Sequence, residues 1–189
     1  MTAFNSFPNI AVVYHSGYGH TRRMAEAVAE GAGAALHAID AEGNLPETGW
    51  AALDAADASS SARDLHGRTE LAVQEIRGRI LEATVFREMA GQIFRRLYQQ
   101  RQPLRRQLST LQYFALLAWQ HGGLWLSLGT KPSNTKASLR EDANRMGSYL
   151  GPMAQSDADA APEEMSVGYL ETRRLYGAGV AGIVRALRV

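Results

Sequence analysis

The sequence predicts an α/β fold with a parallel sheet. Three features carry the prediction: a strand of the fully buried type, a glycine-rich turn after it, and an amphipathic helix leading to a second strand. Ile10-Ala11-Val12-Val13-Tyr14 is a continuous apolar, largely β-branched run, the pattern of a strand covered on both faces. His15-Ser16-Gly17-Tyr18-Gly19-His20-Thr21 follows. From Thr21 to Glu30, an apolar stripe of Thr21, Met24, Ala25 and Val28 lies opposite Arg22, Arg23 and Glu26, as in a helix with one buried face. Gly31 and Gly33 read as its stop, and Ala35-Leu36-His37-Ala38-Ile39 as the second strand, completing a right-handed β-α-β unit.

Beyond residue 108 the same grammar resumes. Ser109 reads as the cap of a helix through Leu111, Phe114, Leu117 and Ala118, which Gly122-Gly123 ends before a strand, Leu124 to Leu128. Trp119 and Trp125 read as core residues. A long loop from Gly129 to about Ala161 is rich in Asn, Asp, Gly and Pro, and loops of this length usually wrap a site or a neighbouring subunit. A last helix is expected to start near Pro162-Glu163-Glu164 and to run through Leu170, Leu175, Val180 and Ile183.

A chain of 189 residues supports one core, so residues 1–189 are expected to form one domain. A formal net charge of +1 with 21% charged residues points to neither nucleic acid nor an anionic membrane surface, and no apolar run reaches membrane-spanning length. There is no cysteine, which excludes disulfides, thiolate metal sites, iron–sulfur clusters and a redox dithiol. Redox chemistry would therefore rest on a bound organic cofactor. The first nine residues include Asn5 and Pro8 and lack the basic-then-apolar order of a signal peptide, so a cytoplasmic location is expected.

The glycine-rich turn carries the chemistry. A strand turning sharply into a helix aims successive backbone N–H groups, and the helix's own partial positive charge, at an anion. Gly17 and Gly19 allow close approach and torsions closed to other residues, while Ser16 and Thr21 add hydroxyls. No lysine stands where a nucleotide-hydrolysing loop needs one, and G-x-G-x-x-G is missing. This argues against ATP or GTP and for a phosphate that is held rather than transferred, the alternative being a tight turn alone.

The run Val12-Val13-Tyr14-His15-Ser16-Gly17-Tyr18-Gly19-His20-Thr21, continuing to Ala25 and Val28, resembles the flavodoxin signature. Its Tyr-Gly-His variant resembles the WrbA-like NAD(P)H:quinone oxidoreductases, as do Gln120-His121-Gly122-Gly123, Asn144-Arg145-Met146-Gly147-Ser148-Tyr149 and Leu175-Tyr176-Gly177. The resemblance implies a flavodoxin-like doubly wound parallel sheet with helices on both faces. It implies FMN held at its phosphate by Ser16, Gly17, Tyr18, Gly19, His20 and Thr21, with NADH or NADPH as donor and a quinone as acceptor. It also implies a tetramer, and a catalytic His121 beside the flavin ring. From the residues alone, His121 could equally be a partner for a helix C-terminus, and Tyr18 could pack on a neighbour. A non-enzymatic electron carrier or regulatory FMN protein is the alternative, although the acidic surface usual in carriers is missing.

Residues 59–107 depart from that pattern. Ten of the eighteen arginines fall there and neither lysine does, and Leu71 to Leu97 reads as an arginine-rich helical stretch. Arg95-Arg96, Arg101 and Arg105-Arg106 with Phe94 and Tyr98 could form a polyanion-binding patch. A better explanation is a pair of compensating frame errors, in the gene or its sequencing, between about Ser59 and Gln107. Codons for Leu97 to Gln102, read one base on, permit F-T-N-S-A-S, which resembles a flavin-loop segment of the family. The third and fourth strands are therefore in doubt, and an inactive family member is the reading if this segment is translated as written.

Overall fold

The computed structural model describes residues 8–14, 16–40, 45–46, 48, 80–81, 103–120, 124–157 and 159–187. Strand β1 (Ala11–Tyr14) pairs in parallel with β2 (Ala35–Ala38), Ala11 opposite Ala35 and Tyr14 opposite Ala38. Bonds from Ala35 N–H to the Ile10 carbonyl, 3.0 Å, and from Ile39 N–H to the Tyr14 carbonyl, 2.7 Å, extend the ladder at both ends. β1 is covered on both faces, as its composition predicts. Val12 packs with Ala25, Val28 and Ala29 on one side, and Ala11 and Val13 pack with Leu45 on the other.

Helix α1 (His20–Ala32) connects the two strands. It buries Ala25 and Val28, half-buries Thr21 and Met24, and exposes Arg22 and Arg23. Gly33, at φ +64°, ends it: its N–H meets the Glu30 carbonyl at 3.3 Å and Ala34 N–H meets the Ala29 carbonyl at 2.9 Å, a Schellman closure. Gly31 is not part of the stop. It lies inside the helix, where a Cβ would fall onto the Arg174 carbonyl of the last helix.

Helix α2 (Pro103–Gln120) starts earlier than the sequence reading, with proline at its first position, where a missing N–H costs nothing. Ser109 is therefore interior to the helix and caps nothing. Its buried face is Leu111, Ala115 and Ala118, which turns the neighbouring Trp119 outward to 57% exposure, so Trp119 is not a core residue. Strand β3 (Ile80–Leu81) pairs in parallel with β4 (Leu124–Trp125). These two residues of the arginine-rich stretch are thus extended rather than helical, a case of pairing overriding local propensity. Positions 59–79 and 82–102, with the frame-shift reading and most of the arginine patch, lie outside the described residues. β4 is shorter than expected, because from Leu126 on the backbone is tied to other partners: Tyr176 O–H to the Leu126 carbonyl, 3.3 Å, and Leu128 N–H to the Tyr149 carbonyl, 2.9 Å.

The last helix, α3 (Val167–Leu187), packs along α1. Glycine makes the close crossing possible from both sides, since a Cβ at Gly177 would fall onto the Val28 carbonyl just as one at Gly31 would strike Arg174. The core closes here from Ile10, Ala32, Leu128, Tyr176, Val180, Ala181 and Val184. Pro162–Glu164 forms only a 3-10 turn before α3. A carboxylate from the long loop caps α3 instead: Glu141 accepts from the Ser166 hydroxyl and from the backbone of Val167 and Gly168, which holds its pKa below the usual carboxylate range.

Candidate phosphate site

Site geometry starts from the torsions of the turn. Gly19 sits at φ +88°, and its N–H donates to Ser16 Oγ at 3.0 Å, so the hydroxyl folds the turn back on itself. Around Gly17 there is open space where a Cβ would point. The first backbone bond of α1 runs from Arg23 N–H to the Gly19 carbonyl, 3.0 Å, and N–H groups ahead of it have no helical acceptor. The first turn of α1 carries no acidic residue and no side-chain cap, in contrast to α3 with its Glu141. An anion is the partner such a helix start lacks.

Side chains around the turn are placed as follows. Thr21 and His20 are half-buried, and His20 Nε2 is buried without a hydrogen-bond partner among the described residues. Tyr18 stands on the rim at 70% exposure. Arg22 is paired with Glu26 at 2.9 Å, and that bond raises its pKa. His15 and His121 lie outside the described residues. Ser16 to Thr21 are thus brought together, whereas the placement of His121 beside a flavin remains an expectation from resemblance.

The sequence reading gave Pro162 only as a helix start and Asn144 only as part of a resembling segment, and it did not single out Gln107 or Arg173. Pro162 abuts Gly19: its Cγ would be 2.7 Å from a Cβ added there. Asn144, buried at φ +52°, organises the long loop. Its side chain donates to the carbonyls of Thr130, 2.7 Å, and Ser148, 2.9 Å, and accepts from Ser148 N–H at 2.8 Å, while its own N–H donates to Thr172 Oγ1 at 2.7 Å. Gln107 of α2 grips the Ala154 backbone through both amide atoms. Arg173, 5% exposed, donates to the carbonyls of Pro152, Met153 and Tyr169. Burial pushes its pKa down to about 10, so it stays charged at neutral pH. It borders a cavity of about 190 Å³ shared with Val12, Tyr14, Thr21, Met24 and Trp125. The Asn-x-x-Gly spacing of Asn144 and Gly147 was the available sequence signal for a left-handed turn. Arg173 gave none.

A parallel β-α-β unit whose first turn presents a left-handed glycine and a carboxylate-free helix start is an α/β unit of the flavodoxin type, with a turn suited to an anion. No protein-family model matches the chain. It is 39% identical over 177 residues to flavodoxin FldP of Pseudomonas aeruginosa (strain UCBPP-PA14), spanning 93% of this chain and 96% of that protein. It is 42% identical to the flavodoxin, WrbA-like protein from Agrobacterium tumefaciens, whose crystal structure superposes with a TM-score of 0.60 over 95% of this chain and 98% of that one. The chain belongs to the flavodoxin-like family, in its WrbA-like branch. The fold is accordingly α/β and flavodoxin-like.

The family implies FMN, and the phosphate end of the site fits it: open space at Gly17, donors at the start of α1 and an orphaned His20 Nε2 all suit a dianion. The groups expected at the ring end, His121 among them, lie outside the described residues. Among the described residues no cluster of His, Cys, Asp or Glu could hold a metal ion, and no helix is long and apolar enough to cross a membrane.

Proposed function

We propose that this chain is an FMN-dependent NAD(P)H:quinone oxidoreductase, passing two electrons from NADH or NADPH to a quinone. The observation that carries the reading is the turn from Ser16 to Thr21, with its Gly19 torsion and its carboxylate-free helix start. Bound FMN would supply the two-electron chemistry that a cysteine-free chain does not have in its own side chains. The chain's part is to hold and orient. Ser16, Gly17, Tyr18, Gly19, His20 and Thr21 would hold the phosphate, through backbone N–H groups of the turn other than that of Gly19, which donates to Ser16 Oγ, and through the Ser16 and Thr21 hydroxyls. His121 would border the ring and the substrates. One domain from 1 to 189, a tetramer and a cytoplasmic location complete the proposal.

A second reading, a non-enzymatic electron carrier, is favoured by the name flavodoxin on the Pseudomonas relative. The net charge of +1 speaks against the acidic surface expected of such a carrier. One experiment separates the two. Yellow protein that oxidises NADH or NADPH only when a benzoquinone is added supports the enzyme. Yellow protein inert to both nicotinamides supports the carrier, and colourless protein that takes up no added FMN refutes both.

A further inference from the structure

We propose that Pro162 is a positioning residue for the phosphate turn and that the Pro162–Glu164 turn forms the outer wall of the site. The inference rests on the FMN reading above and goes beyond it by assigning a role to the far end of the long loop. Gly19 is held from two sides. On its own side, Ser16 Oγ takes its N–H at 3.0 Å; on the other, the Pro162 ring occupies the space where a side chain would be, with Cγ 2.7 Å and Cβ 3.5 Å from a Cβ added at Gly19.

The wall is itself stiff. Ala161 N–H donates to Glu164 Oε2 at 2.6 Å, Glu164 N–H to the Ala161 carbonyl at 3.0 Å, and Met165 N–H to the Pro162 carbonyl at 3.3 Å. Met165, the residue after the turn, is buried, and the adjacent Ser166 is tied to Glu141. Proline fixes its own φ, so the surface offered to Gly19 is a rigid ring on an anchored turn. Glycine at φ +88° has the freedom to leave that conformation, and a fixed neighbour removes it. With Gly19 fixed, its own N–H on Ser16 Oγ, the N–H groups at the start of α1 are set before the ligand arrives, which lowers the ordering cost of binding. The ligand class this serves is a phosphomonoester dianion, so the benefit falls on the phosphate end of a flavin nucleotide and not on its ring.

The test titrates the apoprotein, wild type and Pro162→Ala, with FMN and with riboflavin, which has the same ring and no phosphate. Pro162→Ala is expected to weaken FMN by about tenfold and riboflavin by less than about twofold. Glu164→Ala, which unties the turn without touching Gly19, is expected to shift the FMN-to-riboflavin ratio in the same direction by less. An equal loss for both flavins marks a merely structural role and overturns the inference, as does an unchanged ratio in both variants. Wild type that binds neither flavin overturns the FMN reading itself, and this inference with it; wild type that prefers FMN while both variants keep the preference overturns only the inference.

Discussion

Replacing Gly177 with alanine is expected to destabilise the protein, while the same replacement at Gly179 on the same helix is expected to stabilise it. At Gly177 the new methyl group falls onto the Val28 carbonyl and lies 2.9 Å from the Ala32 nitrogen, both backbone atoms of α1 that no rotamer change can move. The helices must separate by roughly 1 Å, and a gap of that size forfeits a quarter to a half of each lost dispersion contact. The residues lifted off are Tyr176, Val180 and Val184, which face Ile10, Ala32 and Leu128. Overpacking costs about 1–3 kcal/mol, the upper end applying where the clash is with fixed backbone, and alanine returns up to about 1 kcal/mol in helix propensity, so the net loss is about 2 kcal/mol. At Gly179 nothing lies within 4 Å of the added atom, leaving only the gain of about 0.5–1 kcal/mol. Urea unfolding of the apoprotein followed by circular dichroism reads both: at an m-value of about 2 kcal/mol/M the midpoint falls by about 1 M for Gly177→Ala and rises by about 0.25–0.5 M for Gly179→Ala. Shifts of the same sign would refute the close crossing of α1 and α3.

Two further outcomes follow from individual contacts and one from the reading frame. Glu141→Gln is expected to lower stability at neutral pH but not in acid: folding lowers the Glu141 pKa, so its contribution is complete above the unfolded carboxylate value and is lost as pH falls through the folded one. Stability curves of wild type and variant that stay parallel down to low pH would contradict this. Arg173→Lys is expected to cost about 1–3 kcal/mol in a urea melt, because an ammonium cannot fork to carbonyls on both α3 and the loop at Pro152 and Met153. Sequencing the gene is expected to show codons at Leu97 to Gln102 that read F-T-N-S-A-S one base on; any other codons there remove the frame-shift explanation of residues 59–107.

The parts of the fold legible in the sequence are those whose signal is local. Ile10 to Tyr14 and the stripe of α1 follow from a period of apolar residues, and Gly33 ends the helix by its own torsion. What was misread depended on distant partners. Gly31 looked like a stop and is a crossing point, because Arg174 determines its role. Pro162-Glu163-Glu164 looked like a helix start, but the cap that begins α3 comes from Glu141 in another part of the chain. Trp119 looked like core because the buried face of α2 depends on what covers Leu111, Ala115 and Ala118. The turn proposed to hold the phosphate was legible as a turn because its residues are contiguous. Pro162 was not, since only folding brings it to Gly19, and His121 was reached through resemblance alone.

The central claim is that the turn from Ser16 to Thr21 holds the FMN phosphate. Its most direct test is an FMN fluorescence-quenching titration of the apoprotein, comparing wild type with Gly19→Ala. Alanine there must both adopt φ +88° and displace the Pro162 ring. The account predicts that wild type quenches FMN with submicromolar affinity and that the variant loses about a hundredfold or more, equivalent to about 3 kcal/mol. Wild type that leaves FMN fluorescence unchanged, or a variant that binds as tightly as wild type, would contradict it.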